Sequence, residues 1–373
     1  VRQLVKANLG LLAAGLGTFI VMGAGQGMFG PSLPALARTF GLAGPEAGLL
    51  VSAQWVGAAV GVTVMFLRAG WISPRVALVL MAAGAALMAA GLAWGLVLLG
   101  ALVFGVGYGA TTVVYNPLFL KRFGTRGPAM LGLLNATFGI GAITAPLVFV
   151  ALGNDPGMGF ALVAGLCLLV WLAAGSVGVA PVATMAAGPF RLRPGILSFG
   201  AVAIGIEACL IGLGPTALIA AGETEAAAAQ YLSLFFVAFL AVRVGLMWLS
   251  DLMPPFSLFT CALGLAGASA LGAVLLNAGL FFVLLGVAAG LFFPAFYVCA
   301  TLRMGDDPRV APTIIAAGLV GGISSPLILS GLMGWLGGQA FFWVIAGVAL
   351  TAAAAGVLAM GYMNSSLNRA PAP

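Results

Sequence analysis

A single acid, Glu207, stands inside an apolar run, Pro194 to Ala220, that is long enough to cross a bilayer, and no other carboxylate lies so deep in such a run. An ionisable group at that depth costs about 2.5–3.5 kcal/mol on insertion scales, so it marks a functional site by default. Two readings of Glu207 stand. It carries a proton during transport, or it is a structural acid, kept neutral and hydrogen-bonded to a neighbouring helix. The chain has no histidine, which leaves carboxylates, tyrosines and water for any proton relay. A second group of chemistry-bearing residues lies at Tyr108, Thr111, Thr112 and Tyr115. Their helical spacing of three to four predicts a shared face, and a polar stripe on a membrane helix turns towards protein or water. The bland alternative is that the hydroxyls bond the carbonyls one turn back on their own helix. Asn116 follows the stripe, and Gln26, Gln54, Asn135 and Tyr297 are further solute-binding candidates, each weighed against a purely structural role as helix glue or packing. Phe292, Phe293 and Phe296 read as packing, and Ser324 and Ser325 as repair of the backbone before Pro326.

Positioning these groups requires membrane helices. Of 373 residues, 63% are hydrophobic and 6% charged, against about 25% charged in a soluble domain. The bilayer must be the solvent. The net charge of +6 comes from basic residues scattered singly or in pairs, which is no nucleic-acid footprint. Breaks at Gly, Pro or charge divide the chain into twelve apolar runs, near 8–30, 46–67, 75–93, 95–119, 128–152, 158–180, 194–220, 227–250, 256–276, 278–301, 310–335 and 339–362. With both termini cytoplasmic, thirteen of the fourteen basic residues fall on the cytoplasmic side and only Arg38 outside, while Glu46, Asp155, Glu223 and Glu225 fall on the outer side. This is the positive-inside pattern, which fixes an even span count with both termini inside; the Ala/Gly-rich composition and minimal loops look bacterial, so the expected location is a bacterial inner membrane. The four cysteines, Cys167, Cys209, Cys261 and Cys299, all lie in apolar runs without CxxC spacing and read as buried thiols. No metal site or cofactor is expected.

The two halves resemble each other. The segment GAITAP ending at Pro146 returns as GGISSP ending at Pro326, and the same shift of 180 residues carries Pro74 onto Pro254. An even repeat of membrane helices is the mark of a secondary transporter. The expected architecture is all-α, with twelve transmembrane helices in two pseudo-symmetric six-helix bundles: residues 1–182, a cytoplasmic linker at 183–193, and residues 194–373.

This pattern resembles the major facilitator superfamily. The family's cytoplasmic Gly-x-x-x-Asp-Arg-type motif is matched in the second half by Arg243, Gly245 and Asp251 within RVGLMWLSD. The first copy is degenerate: Trp71 stands where Asp251 would map, with Arg68 and Arg75 nearby. Within the superfamily the chain is similar to the fucose–proton symporter-like group. The resemblance rests on a glycine-rich first span running to Leu33-Pro34, on Asn116-Pro117, on LGLLNATFGIGAI, and on Gly205-Ile-Glu207. It implies a central cavity lined by spans 1, 4, 7 and 10. The acids that the fucose permease uses in its first and fourth spans map to Gly30 and Thr111, so neither fucose nor its proton route carries over.

The chain is therefore expected to be a transporter and not an enzyme; HExxH and GxSxG motifs are absent. The expected activity is secondary transport of a small polar or amphipathic organic solute by alternating access, proton-coupled through Glu207, in a protein that works as a monomer. Two alternatives stay open. Fourteen methionines with Cys209 and Cys299 allow a carrier of copper or another soft metal. The missing family acids allow a non-transporting assembly factor or sensor.

Overall fold

A computed structural model of the protein describes residues 8–42, 44–68, 71–176, 190–249, 253–305, 307 and 309–364. Among these are twelve α-helices: α1 Leu9–Phe40, α2 Gly44–Leu67, α3 Pro74–Ala90, α4 Trp94–Phe123, α5 Gly127–Ala151, α6 Pro156–Ala173, α7 Pro194–Ala220, α8 Glu225–Leu249, α9 Pro255–Leu275, α10 Ala278–Met304, α11 Val310–Leu336 and α12 Ala340–Asn364. Eleven are long and apolar enough to cross a membrane; α3, at 17 residues, is the short one and rises about 25 Å. Helices are the only open-ended way to satisfy every backbone N–H and C=O in lipid.

The narrow breaks between the third and fourth spans and between the ninth and tenth have local causes. Gly91 closes α3 in the left-handed conformation, φ 56°, which glycine adopts without penalty. Asn277 caps α10 by accepting the Leu280 N–H at 2.7 Å, satisfying one orphan donor of the first turn. The first and fourth spans outrun their predicted ends the furthest. The first continues through Pro31 and Pro34 to Phe40, and the fourth through Pro117 to Phe123. Leu33-Pro34 and Asn116-Pro117 therefore lie within helices; membrane helices tolerate proline because neighbouring groups re-satisfy the freed carbonyl.

The chain forms two compact units, Val1–Ala183 and Thr184–Pro373. In the first, α1 packs on α5, α2 on α4, and α3 on both α4 and α6. In the second, the same pairs recur six helices on: α7 on α11, α8 on α10, and α9 on both α10 and α12. The repeated glycines make the tightest contacts. A Cβ at Gly141 would strike the carbonyl oxygen of Ile20, and one at Gly321 the carbonyl oxygen of Ala201. Small residues of this kind let membrane helices approach closely. Fully buried aromatics fill each unit, Phe104, Tyr115 and Phe119 in the first, Phe259, Phe292 and Phe296 in the second.

Candidate functional site

Glu207 sits midway along α7, between the inward-facing neighbours Ile206 and Ala208. The residue is half-buried, and its Oε2 is fully enclosed with no hydrogen-bond partner. The second unit also holds a counter-charge. Arg243 of α8 is close enough for its charge to act on Glu207. Its Nε donates to the Gly290 carbonyl at 3.2 Å, and its guanidinium lies 4.0 Å from the Phe239 ring centroid. These contacts fix a half-buried arginine among α8 and α10, in the electrostatic field of the α7 acid. The sequence reading gave Arg243 chiefly to the cytoplasmic motif. Its hydrogen bond to Gly290 and its contact with Phe239 lie within the helix bundle, and Asp251, the motif's acid, lies outside the described residues. Gly245 is half-buried on α8.

The stripe on α4 divides into two faces. Thr111 and Tyr115 are fully buried. The Thr111 hydroxyl donates to its own Tyr108 carbonyl at 2.7 Å and lies 3.1 Å from the Met22 sulfur. The Tyr115 hydroxyl lies 3.4 Å from the Thr18 hydroxyl, and its ring meets Phe19 and Phe119 edge-on. Both side chains thus point into the α1–α4 packing. Tyr108, Thr112 and Asn116 are half-buried, on the adjacent face, because a spacing of four keeps residues in line while a spacing of three turns them by about 60°. Thr112 donates to the Gly109 carbonyl at 2.7 Å. The Asn116 Oδ1 is enclosed without a partner, as is the indole N–H of Trp55 on α2.

Gln26 and Gln54 are buried, and the Gln54 amide donates to the Gln26 amide oxygen at 3.2 Å. The pair ties α1 to α2. Asn135 is exposed on α5 and donates to the Leu131 carbonyl of its own helix at 2.9 Å. Tyr297 is half-buried on α10 and lies against Phe293, centroids 5.6 Å apart. Arg75, at the start of α3, is exposed; its guanidinium lies 4.8 Å from the Trp171 ring centroid and against Gly175. Where the first motif lacks its acid, Arg75 faces an aromatic ring and the carboxyl end of α6, both favourable to a cation.

Cys167, Cys209 and Cys299 are buried, whereas Cys261 is exposed on α9, contrary to the expectation of four buried thiols. Among the described residues no three His, Cys, Asp or Glu side chains gather as a metal site would need. Sequence reasoning passed over Thr216, whose Oγ1 is another enclosed atom without a partner, and gave Ser325 only to backbone repair, whereas its side chain lies against Gly205, two residues from Glu207. The recurrence of GGISSP marked the Ser325 segment; nothing in the sequence singled out Thr216.

The family model described as Major Facilitator Superfamily matches residues 15–317. Among solved structures, the nucleoside transporter NupG superposes with a TM-score of 0.73 at 15% identity, over 94% of this chain and 98% of NupG. The peptide transporter POT, in complex with sulfate, gives 0.75 at 13% identity, over 96% and 95%. The E. coli fucose:proton symporter FucP gives 0.59 at 17% identity, over 92% and 98%. No curated protein matches the chain in sequence.

Proposed function

This chain belongs to the major facilitator superfamily, and from that premise we propose that it is a secondary active transporter of a small polar or amphipathic organic solute, coupled to protons through Glu207. One observation carries the reading: a carboxyl oxygen enclosed without a partner on a membrane helix, in the field of one arginine of the same unit. A bare buried anion is costly, so Glu207 is met either by a proton or by the Arg243 guanidinium. A group with two such alternatives is the minimum a proton-coupled cycle needs. Solute binding falls to the half-buried polar positions, Tyr108, Asn116 and Tyr297, with the Gln26–Gln54 pair and Asn135 as further contributors. The unmet Asn116 oxygen and Trp55 N–H offer one acceptor and one donor to a solute. This inventory suits a neutral or cationic solute better than a dianion. Alternating access, a monomer, an inner-membrane location and cytoplasmic termini complete the proposal.

The test starts from a thermal-shift screen of sugars, nucleosides, vitamins, amino-acid derivatives and copper(I), which also probes the soft-metal alternative. With the stabilising solute in proteoliposomes, Glu207→Gln should abolish accumulation driven by a pH gradient while solute counterflow persists. Undiminished uphill uptake by that variant sinks the proton role. Absence of counterflow for every solute that stabilises the wild-type protein sinks the transporter reading.

A further inference from the structure

In the first unit α1 closes against α6, with Val170 seated on Gly17 and Met28 on Gly159. The equivalent pair in the second unit, α7 and α12, parts to leave a crevice of about 560 Å³. Its walls are apolar: Phe199 and Val202 from α7, Val348 and Ala352 from α12. The hydroxyl of Ser198, also in the wall, is spent on the Gly195 carbonyl at 2.9 Å. The crevice reaches Gly195, in the first turn of α7, where the helix begins without a side-chain cap and without an acidic residue.

The mouth at that end is cationic. Arg193 immediately precedes α7; its Nη1 lies 3.5 Å from the Tyr362 hydroxyl, while its Nε–H is enclosed with no partner. Arg303 stands on the other side of the same tyrosine, guanidinium carbon 4.2 Å from the ring centroid, and donates to the Tyr362 and Met363 carbonyls at 2.8 and 2.9 Å. Both arginine charges act on the Tyr362 hydroxyl. An uncapped helix N-terminus beside two arginines gathered at Tyr362 makes this end attractive to an anion, and an apolar slot runs from it along two membrane helices.

We propose that this crevice binds an anionic phospholipid, with the phosphate on Arg193 and the first N–H groups of α7, Arg303 adding charge, and one acyl chain between α7 and α12. Basic pockets between membrane helices are the usual seat of such headgroups, and the slot accounts for the second half of the molecule. The inference rests on the bilayer-spanning fold and not on the transport reading.

Native mass spectrometry of the full chain, released from detergent with phosphatidylglycerol or phosphatidylcholine, tests it. The wild-type protein should retain phosphatidylglycerol about tenfold more tightly, the scale expected for one or two arginines meeting an anionic headgroup. Arg193→Gln should erase that preference, and Ala352→Phe, which fills the slot, should weaken both lipids. Inorganic phosphate should not displace the bound lipid. Equal retention of the two lipids by the wild type overturns the proposal. So do a preference that survives Arg193→Gln, displacement by free phosphate, and a lipid-free dimer held through this face. If Arg193→Gln does not fold, the wild-type comparison together with Ala352→Phe still decides.

Discussion

At the scale of residues, the interaction of Glu207 with Arg243 is the part of the molecule with the most to say about mechanism. If the two form one charge-switching unit, their effects are not additive. Arg243→Gln should reduce pH-driven uptake, and the Glu207→Gln/Arg243→Gln double variant should be no worse than Glu207→Gln alone. Arg243→Lys should fall between, because lysine keeps the charge but loses the planar stack on Phe239 and the Nε–H bond to Gly290. Uptake assays on the four proteins in one vesicle preparation check this. Tyr115→Phe removes only a hydroxyl lying 3.4 Å from Thr18 inside the α1–α4 packing, so solute uptake should stay at the wild-type level; a large rise in KM would place Tyr115 at the solute. Outside the bilayer, Asp307 accepts from the Arg309 Nε–H and Nη2–H at 2.8 and 2.9 Å and from its backbone N–H at 2.8 Å. These bonds hold the Asp307 carboxyl below the usual carboxylate range. A carboxyl so depressed contributes stability above its unfolded pKa, and that contribution is lost as pH falls through the folded value. Hydrogen-exchange protection at the start of α11, where the Val310 N–H bonds the Asp307 carbonyl, taken relative to the intrinsic rate at each pH, should therefore fall on acidification below the ordinary carboxylate range, and Asp307→Asn should show the reduced protection already at neutral pH. Glu207 was legible because a charge in a long apolar run needs no structure to be seen. The division of the α4 stripe was not, since spacings of three and four both look helical in a sequence and only packing shows which of them faces a neighbour.

At the scale of elements, the glycine contacts decide how closely the repeated pairs pack. Gly321 admits no Cβ against the Ala201 carbonyl, nor Gly141 against the Ile20 carbonyl. Gly321→Ala must push α11 from α7, and overpacking of this kind costs about 1–3 kcal/mol. The melting temperature of the purified variant should fall, and Gly141→Ala should do the same in the other unit. Gly331→Ala, on the same helix with open space around its Cβ, is the control and should melt like the wild type. The helix count and the repeated motif could be read from the chain because apolar length and the spacing of proline and glycine are one-dimensional signals. Helix ends were less legible. Pro31 and Pro34 look like terminators of the first span, yet α1 runs through them to Phe40, because burial within a bundle sustains a helix that proline would break in water.

At the scale of the whole molecule, the polar contacts at the helix ends bear on how the chain lies in the membrane. In the first unit, the Arg122 Nε–H donates to Asn8 at 2.8 Å, joining the end of α4 to the start of α1, and Arg75 joins the start of α3 to the end of α6. In the second, Arg193 and Arg303 join the starts and ends of α7, α10 and α12 at Tyr362, and Arg309 lies 4.6 Å from the Phe190 ring centroid. Such contacts bring the starts of α1 and α3 to the ends of α4 and α6 in the first unit, and the start of α7 to the ends of α10 and α12 in the second, on the side where the sequence concentrates its arginines. At the opposite ends, Asp155 caps α6 through the Gly157 N–H at 2.7 Å, and Glu46 and Glu225 occupy first turns, where a negative charge favours the helix dipole. Capping and helix direction thus put the arginines on one side of each unit, the side that the positive-inside rule makes cytoplasmic in the proposed topology. In a cysteine-free background, a membrane-impermeant maleimide should label Glu223→Cys in intact cells and label Lys121→Cys only after the membrane is opened. Labelling of Lys121→Cys in intact cells would reverse the orientation, and with it the side of the bilayer on which the Arg193 crevice opens.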